Sequence, residues 1–100
     1  MTSPTLERRL TLEAASKTAS RAFYRARAHG YAGENFTGAE WLALVRECEG
    51  RCLRCGEPDP TVDHVIPLCL GGSNTITNVQ VLCASCNSEK GGATTDYRQG

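Results

Sequence analysis

Two cysteine pairs bound the stretch that decides the fold: residues 52–55 read CLRC and residues 83–86 read CASC, with 27 residues between Cys55 and Cys83. A two-residue gap lets one tight turn present two thiolates from one side, and two such turns complete the tetrahedron that zinc prefers. Two disulfides or a redox pair are the alternatives, and a reducing compartment disfavours disulfides. We therefore expect a structural zinc ion bound by Cys52, Cys55, Cys83 and Cys86.

The small size of the chain gives such a site a physical purpose. The chain has 100 residues, of which 40% are hydrophobic and only 6% aromatic. A single domain of this size buries little apolar surface, and a structural zinc site contributes about 10–16 kcal/mol of apparent binding energy. The composition excludes a multi-domain enzyme, and no apolar run approaches the ~18 residues of a membrane span. We expect the two remaining cysteines, Cys48 and Cys69, to be small buried hydrophobes.

The segment between the cysteine pairs has the pattern of a β-hairpin. Val62–Ile66 is a predicted strand stopped by Pro67, residues 68–78 form a loop with a Gly-Gly pair, and Val79–Leu82 is a second strand. The second cysteine pair then opens a predicted helix that extends to about Lys90. This order predicts an α+β fold of two strands followed by a helix.

Two further helices are predicted before the first cysteine pair. Ser3 and Pro4 have the pattern of a helix start, and an Ala-rich apolar stripe at helical spacing runs from about residue 5 to residue 28. A second helix begins at Thr37, which forms a capping box with Glu40, and Gly50 suits its C-terminal cap.

Four polar residues within and just after the hairpin carry the candidate chemistry: Asp63, His64, Asn78 and Asn87. Phosphodiester hydrolysis needs a base for water and a cation at the phosphate. A histidine is a competent base near neutral pH, and Asp63 and Asn87 offer the oxygen ligands that suit Mg²⁺ or Mn²⁺. Asn78 can bond backbone groups of the loop. A single histidine on a strand is more often structural, so the combination carries the prediction.

This combination resembles the HNH endonuclease family. The segments that carry the resemblance are CLRCG at 52–56, VDHVIPLCLGG at 62–72, NVQVLCASCNSEKGG at 78–92 and DYR at 96–98. The resemblance implies a ββα-metal (His-Me finger) fold, here stapled by the four cysteines and preceded by two helices. It implies that His64 is the general base and that Asn78 orients the base and the hairpin. It also implies that Asp63 and Asn87 bind the catalytic metal, Mg²⁺ or Mn²⁺ with Ni²⁺ as an alternative. The third motif position, often histidine in this family, is Asn87 here.

The charge of the chain is unevenly distributed although its formal net charge is zero. Residues 1–29 carry six basic and two acidic side chains, a balance of +4, and residues 30–100 carry five basic and nine acidic ones, a balance of −4. We divide the chain into a basic helical arm, residues 1–33, and a nuclease domain, residues 34–100. A basic arm favours a polyanionic partner, although a solvated Arg-rich helix is the simpler alternative. The candidate DNA contacts are Arg8, Arg9, Lys17, Arg21, Arg25, Arg27 and Lys90.

These observations favour a metal-dependent DNA endonuclease with weak or structure-biased sequence specificity, which makes either nicks or double-strand breaks. The alternative is a non-catalytic, zinc-stapled DNA-binding module, or an adaptor that docks on a larger DNA-processing machine such as a phage terminase. Residues 1–12 contain no apolar stretch of a secretory signal, so we expect a cytoplasmic protein with no membrane partner.

Overall fold

The computed structural model describes residues 10–98, which form three α-helices and one two-stranded antiparallel sheet. Among these residues no helix is long and apolar enough to cross a membrane. The α+β class is confirmed, with two helices ahead of a strand–strand–helix unit. The elements are α1 (Leu12–Ala28), α2 (Gly38–Glu47), β1 (Thr61–His64), β2 (Val79–Leu82) and α3 (Ala84–Lys90).

Helix α1 begins later than its sequence predicts. Thr11 is the N-cap, and its hydroxyl oxygen accepts a hydrogen bond from the Ala14 amide at 3.2 Å. The expectation of one continuous helix from residue 5 is therefore wrong, because Leu10 and Thr11 lie in a turn and a bend. The Ser3-Pro4 start lies outside the described residues. Thr11 supplies the acceptor that the first free amides of a helix require.

The small residues of α1 allow a close approach to α2. Ala15, Ala22 and Ala26 are the buried residues of α1. At the start of α2, a Cβ added to Gly38 would lie 2.8 Å from the Cα of Ser16 on α1. The two helix backbones therefore approach closely at Gly38, so a larger residue there would force them apart.

Helix α2 confirms the predicted start but not the predicted end. Both hydrogen bonds of the Thr37–Glu40 capping box are present. At the other end the Gly50 amide donates to the Val45 carbonyl at 2.8 Å, and the Glu49 amide donates to the Arg46 carbonyl at 3.1 Å. This pair of bonds defines a Schellman motif, in which Glu49, with φ of 55°, is the first residue past the cap and Gly50, with φ of 70°, follows it. The expected glycine cap is therefore displaced by one residue.

The hairpin pairs β1 with β2 from Thr61 opposite Leu82 to His64 opposite Val79. Strand β1 ends at His64, two residues before the predicted end. The Asn78 side chain replaces the missing strand partner, because its Oδ1 accepts from the Ile66 amide and its Nδ2 donates to the Ile66 carbonyl, both at 3.0 Å. Strand β2 agrees with its prediction, and all four of its residues are buried.

One hydrophobic cluster joins α1, α2 and β2. Helix α1 contributes Ala15 and Ala22, so the helical part of the basic arm packs against α2 and β2. Cys48 is half-buried at the edge of this cluster, whereas Cys69 is exposed, so the expectation of a buried Cys69 is wrong. Full burial of a large apolar side chain contributes about 1.5–3 kcal/mol. The largest apolar members are Phe36, Trp41, Leu42, Val45, Val79 and Val81.

Candidate metal centre and active-site cleft

The four paired cysteines form one cluster. Their sulfur atoms all lie within 4.8 Å of one another, and the Cys55 and Cys83 sulfurs are 3.6 Å apart. Zinc–thiolate bonds of about 2.3 Å in a tetrahedron place sulfur atoms about 3.8 Å apart, whereas a disulfide needs about 2.05 Å. All four cysteines are free thiols. The cluster can therefore hold a metal ion, and no two of these cysteines are joined by a disulfide in this structure.

Local hydrogen bonds shape the two turns that present these thiols. In the first turn, Gly56 has φ of 81° and its amide donates to the Cys52 carbonyl at 2.9 Å. In the second, Cys83 is the N-cap of α3, and its sulfur accepts from the Cys86 amide at 3.3 Å. Burial and crowding by the other thiols raise the pKa of Cys86 to about 12. A cation at the centre would relieve this crowding by favouring the thiolates.

His64 lies at the end of β1 and is nearly buried, with 9% of its surface exposed. Its Nε2 lies 2.8 Å from Oδ1 of Asn74, which is fully buried. Burial lowers the pKa of His64, as do the charges of Arg25 and Lys90, against opposite effects of Asn74 and Asp63. His64 is therefore biased toward its neutral form, which is the form that accepts a proton.

Asn87 lies on the first turn of α3 and is oriented by β1. Its Nδ2 donates to the Val62 carbonyl at 2.9 Å and to the Thr61 hydroxyl at 3.1 Å. Because both hydrogen bonds are donated by the amide nitrogen, the amide oxygen remains to bind a cation. Asn87 and His64 line the same cleft.

Asp63 is buried and already has two partners. Its Oδ2 accepts from Gln80 Nε2 at 2.8 Å and lies 3.2 Å from Lys90 Nζ. Lys90 also donates to the His64 carbonyl at 3.1 Å, and its side chain has no exposed surface. Lys90 was expected to contact DNA, and this expectation is wrong, because its ammonium is enclosed beneath the site. Lys90 is buried because the buried Asp63 carboxylate requires a compensating positive charge.

Asn78 and Asn74 share the roles that the sequence assigned to Asn78. Asn78 holds the hairpin loop through Ile66 and through a 2.8 Å bond from its Nδ2 to the Ser73 carbonyl. The asparagine that contacts the His64 ring is instead Asn74, through its Oδ1. Sequence reasoning missed Asn74, because an asparagine in a polar Ser-Asn-Thr run looks like an ordinary loop residue. It also missed Gln80, since a buried polar residue on a short strand has no distinctive pattern.

The donor set near His64 fits a hard divalent cation. One carboxylate oxygen of Asp63 and the amide oxygen of Asn87 are hard ligands, and both residues line one small cavity beside His64. Mg²⁺ is commonly held by one or two such oxygens while it keeps several waters. The Lys90 ammonium next to Asp63 opposes a second cation there, so we expect weak binding.

Helix α1 forms the wall of the cleft opposite β1 and α3. The cleft has a volume of about 600 Å³, and three basic residues of α1, spaced four apart, line it together with His64 and Asn87. Four residues advance a helix by about 6 Å, so the three charges form a row along the wall. Arg27 lines a different depression, and Arg8 and Arg9 lie outside the described residues. The basic residues in the row are Lys17, Arg21 and Arg25.

Comparison with known proteins agrees with this geometry. The sequence profile of the HNH endonuclease family matches residues 52–98, which include the cysteine cluster, both strands and α3. No curated protein matches the chain. A solved structure, titled "Structure of the Type IV phosphorothioation-dependent restriction endonuclease ScoMcrA", aligns with a TM-score of 0.43 and 22% identity, over 88% of this chain and 20% of that chain. The present chain thus corresponds to about a fifth of that protein's length. The four-cysteine ββα unit thus coincides with the segment, residues 52–98, that matches the HNH endonuclease family.

Proposed function

We propose that this protein is a metal-dependent endonuclease that hydrolyses phosphodiester bonds of DNA. The observation that carries the proposal is the cleft, in which His64 and Asn87 face a row of basic side chains on α1. A polyanionic strand in the cleft would bind those cations through its phosphates and present one phosphate to His64. The partner suggested by this charge pattern is DNA, bound without base-specific contacts.

The proposed chemistry assigns one proton transfer to His64. The neutral imidazole accepts a proton from a water molecule as the water oxygen bonds to phosphorus. The bond from phosphorus to the 3′ oxygen breaks, and the departing oxygen takes a proton from solvent. The products are a 5′-phosphate and a 3′-hydroxyl. A divalent cation held by Asp63 and Asn87 would supply charge neutralisation at the phosphate. Lys90 keeps the Asp63 carboxylate in place beneath the site.

We also propose that the four-cysteine cluster holds zinc in a structural role. The four thiols fill a tetrahedron, so no coordination position is left for water or substrate. The cluster joins the first turn to α3, because Cys52 and Cys55 precede β1 while Cys83 and Cys86 lie at the start of α3. The zinc would hold α3, and with it Asn87, against the hairpin.

One observation favours the alternative of a non-catalytic DNA-binding module or adaptor. Asp63 is already neutralised by a buried ammonium, so the site tolerates the absence of a divalent cation. In that case the cleft would bind DNA without cleaving it, as part of a larger DNA-processing complex such as a terminase.

Plasmid cleavage separates these functions. Purified protein is incubated with supercoiled plasmid and Mg²⁺, Mn²⁺, Ni²⁺ or EDTA, and nicked and linear products are measured. We expect His64→Ala to reduce the rate about 10²–10⁴-fold. The control is Tyr24→Ala, because Tyr24 is an exposed ring of α1 that lines neither the cleft nor the small cavity beside His64. Equal rates for wild type and His64→Ala would refute the assignment, and DNA binding without cleavage in any metal would favour the adaptor.

A pair of arginine variants tests the binding wall. Arg25 lines the cleft, whereas Arg27 lies two residues away and faces a different depression. We expect Arg25→Gln to weaken DNA binding and to reduce the slope of log affinity against log salt by about 1. Arg27→Gln removes the same charge, and we expect a smaller effect. Equal effects of the two variants would mean that net charge, rather than the cleft, attracts the DNA.

A further inference from the structure

A chain of side-chain amides connects His64 to the segment between α1 and α2. Asn74 Oδ1 lies 2.8 Å from His64 Nε2, and Asn74 Nδ2 donates to Asn35 Oδ1 at 2.9 Å. Asn35 Nδ2 in turn donates to the Gly33 carbonyl at 3.3 Å. Asn74 has no exposed surface. The series of hydrogen bonds therefore runs from the Gly33 carbonyl through Asn35 and Asn74 to the His64 ring, and each contact in it is direct.

The backbone carbonyl at one end determines every donor and acceptor in this chain. A carbonyl oxygen can only accept, so Asn35 must direct its amide nitrogen toward Gly33 and its oxygen toward Asn74. Asn74 must then donate to Asn35 with its own nitrogen, which directs its oxygen toward His64. An oxygen accepts only from a protonated ring nitrogen. Nε2 of His64 must therefore carry the hydrogen.

The backbone keeps Asn35 and Asn74 in register. Residues 35 and 74 form an isolated parallel bridge, and the Phe36 amide donates to the Asn74 carbonyl at 2.8 Å. Phe36 is itself buried in the hydrophobic cluster next to Trp41. The amide chain thus has a rigid support, and neither asparagine can shift along the other without breaking this bridge.

We propose that Asn74, oriented by Asn35, is the positioning residue of His64 and holds its ring in the Nε2–H tautomer. In a neutral imidazole this leaves Nδ1 as the nitrogen that accepts a proton. The catalytic use of Nδ1 rests on the proposed nuclease function, whereas the tautomer rests on the hydrogen bonds alone. Through these hydrogen bonds Asn35, which lies outside the segment matched by the family profile, also helps to orient the His64 ring.

The tautomer can be measured directly in the full-length, metal-loaded protein. Two-bond proton–nitrogen spectra of ¹⁵N-labelled protein, recorded at a pH where histidine is neutral, distinguish the two ring nitrogens. The chain contains only two histidines, so His29→Gln assigns the His64 signals. We expect the Nε2–H form of His64 in wild type. A wild-type signal from the Nδ1–H form would overturn the proposal.

Variants of the two asparagines test the cause. Asn35→Asp retains an oxygen that accepts from Asn74, so we expect the tautomer to persist. Asn35→Leu removes that acceptor, and we expect part of the His64 population to change to the Nδ1–H form as Asn74 rotates. Asn74→Leu should give a mixture of the two tautomers. Asn74 is buried, so this variant can fail to fold; Asn35 is half-exposed, and Asn35→Leu then provides the test. An unchanged tautomer in both leucine variants would overturn the proposal.

Plasmid cleavage by the same variants tests the catalytic use separately. We expect Asn35→Leu and Asn74→Leu to lower kcat about 10-fold or more with little change in KM for DNA, and Asn35→Asp to restore most of the rate. A tautomer that responds as expected, together with full activity of His64→Ala, would refute the nuclease role of His64 but leave the positioning intact. A changed tautomer with an unchanged kcat would overturn the catalytic part of the proposal.

Discussion

Lys90 gives the sharpest test of how the site is built, because its buried ammonium compensates the buried Asp63 carboxylate at 3.2 Å. The variant Lys90→Met retains the apolar stem of the side chain and removes the charge. It leaves Asp63 with its hydrogen bond from Gln80 but without a counter-charge. Removal of one partner of a buried ion pair costs about 3–5 kcal/mol. That loss is a large fraction of the 5–15 kcal/mol that stabilises a typical domain.

Urea unfolding with linear extrapolation measures this loss. The double variant Asp63→Asn/Lys90→Met carries no buried charge at the pair, and its amide oxygen can still accept from Gln80. We expect it to recover at least about 2 kcal/mol of the loss, which a double-mutant cycle reports as coupling. The control is Lys17→Met, since Lys17 pairs with Glu13 at 3.6 Å and its side chain is 66% exposed. We expect that control to cost less than about 1 kcal/mol.

The same variant bears on the divalent cation. Without Lys90, the Asp63 carboxylate lacks its resident positive charge, so we expect Mg²⁺ to stabilise Lys90→Met more than it stabilises wild type. Thermal unfolding at increasing Mg²⁺ concentration measures the difference. The reasoning fails if Lys90→Met costs less than about 1 kcal/mol, or if the double variant is as unstable as the single one.

Four further predictions concern the base, the metal cluster and the helix end. Burial holds the pKa of His64 below its ordinary value of 6.5, so the cleavage rate should rise with pH along an acid limb whose midpoint lies below pH 6.5; a midpoint above 6.5 in a pH–rate profile would contradict this. Arg25→Gln should move that limb to higher pH, because it removes a charge that lowers the pKa of His64. Cys83→Ser should abolish metal binding and unfold the protein, as monitored by bound zinc and circular dichroism; a folded variant without metal would show that the cluster is dispensable. Glu49→Gly should stabilise the protein by about 0.5–1 kcal/mol in urea unfolding, because glycine takes a φ of 55° without steric cost; a loss of stability would contradict the Schellman assignment.

Features set by short-range spacing were predictable from the sequence. The four-thiol cluster follows from two cysteine pairs of equal spacing, each of which needs only a two-residue gap. The Thr37–Glu40 capping box and strand β2 were predicted with correct residues for the same reason, because caps and strand alternation depend on neighbouring positions. The helix start at Thr11 and the left-handed Glu49 were not, since several residues nearby could have served as caps.

Features that depend on contacts between distant segments needed the tertiary structure. The charge pattern predicted a row of basic residues, but only the packing of α1 against the hairpin separates Lys17, Arg21 and Arg25 from Arg27. The burial of Lys90 follows from a carboxylate 27 positions earlier in the chain. In the sequence, Lys90 lies one helical turn after Asn87, and that position fits a solvated lysine as well as a buried one.

The sequence by itself therefore predicted the cysteine cluster and the ββα order, because each is written in the type and spacing of residues close together, and its resemblance to the HNH family singled out His64 as the candidate base. Only the tertiary structure decided how that base is held. His64 and Asn74 are 10 positions apart, and Asn74 and Asn35 are 39 apart. Which atom donates in each of these hydrogen bonds depends on the next hydrogen bond along the series. The series begins at the Gly33 backbone carbonyl, and no residue pattern specifies that this carbonyl accepts from Asn35.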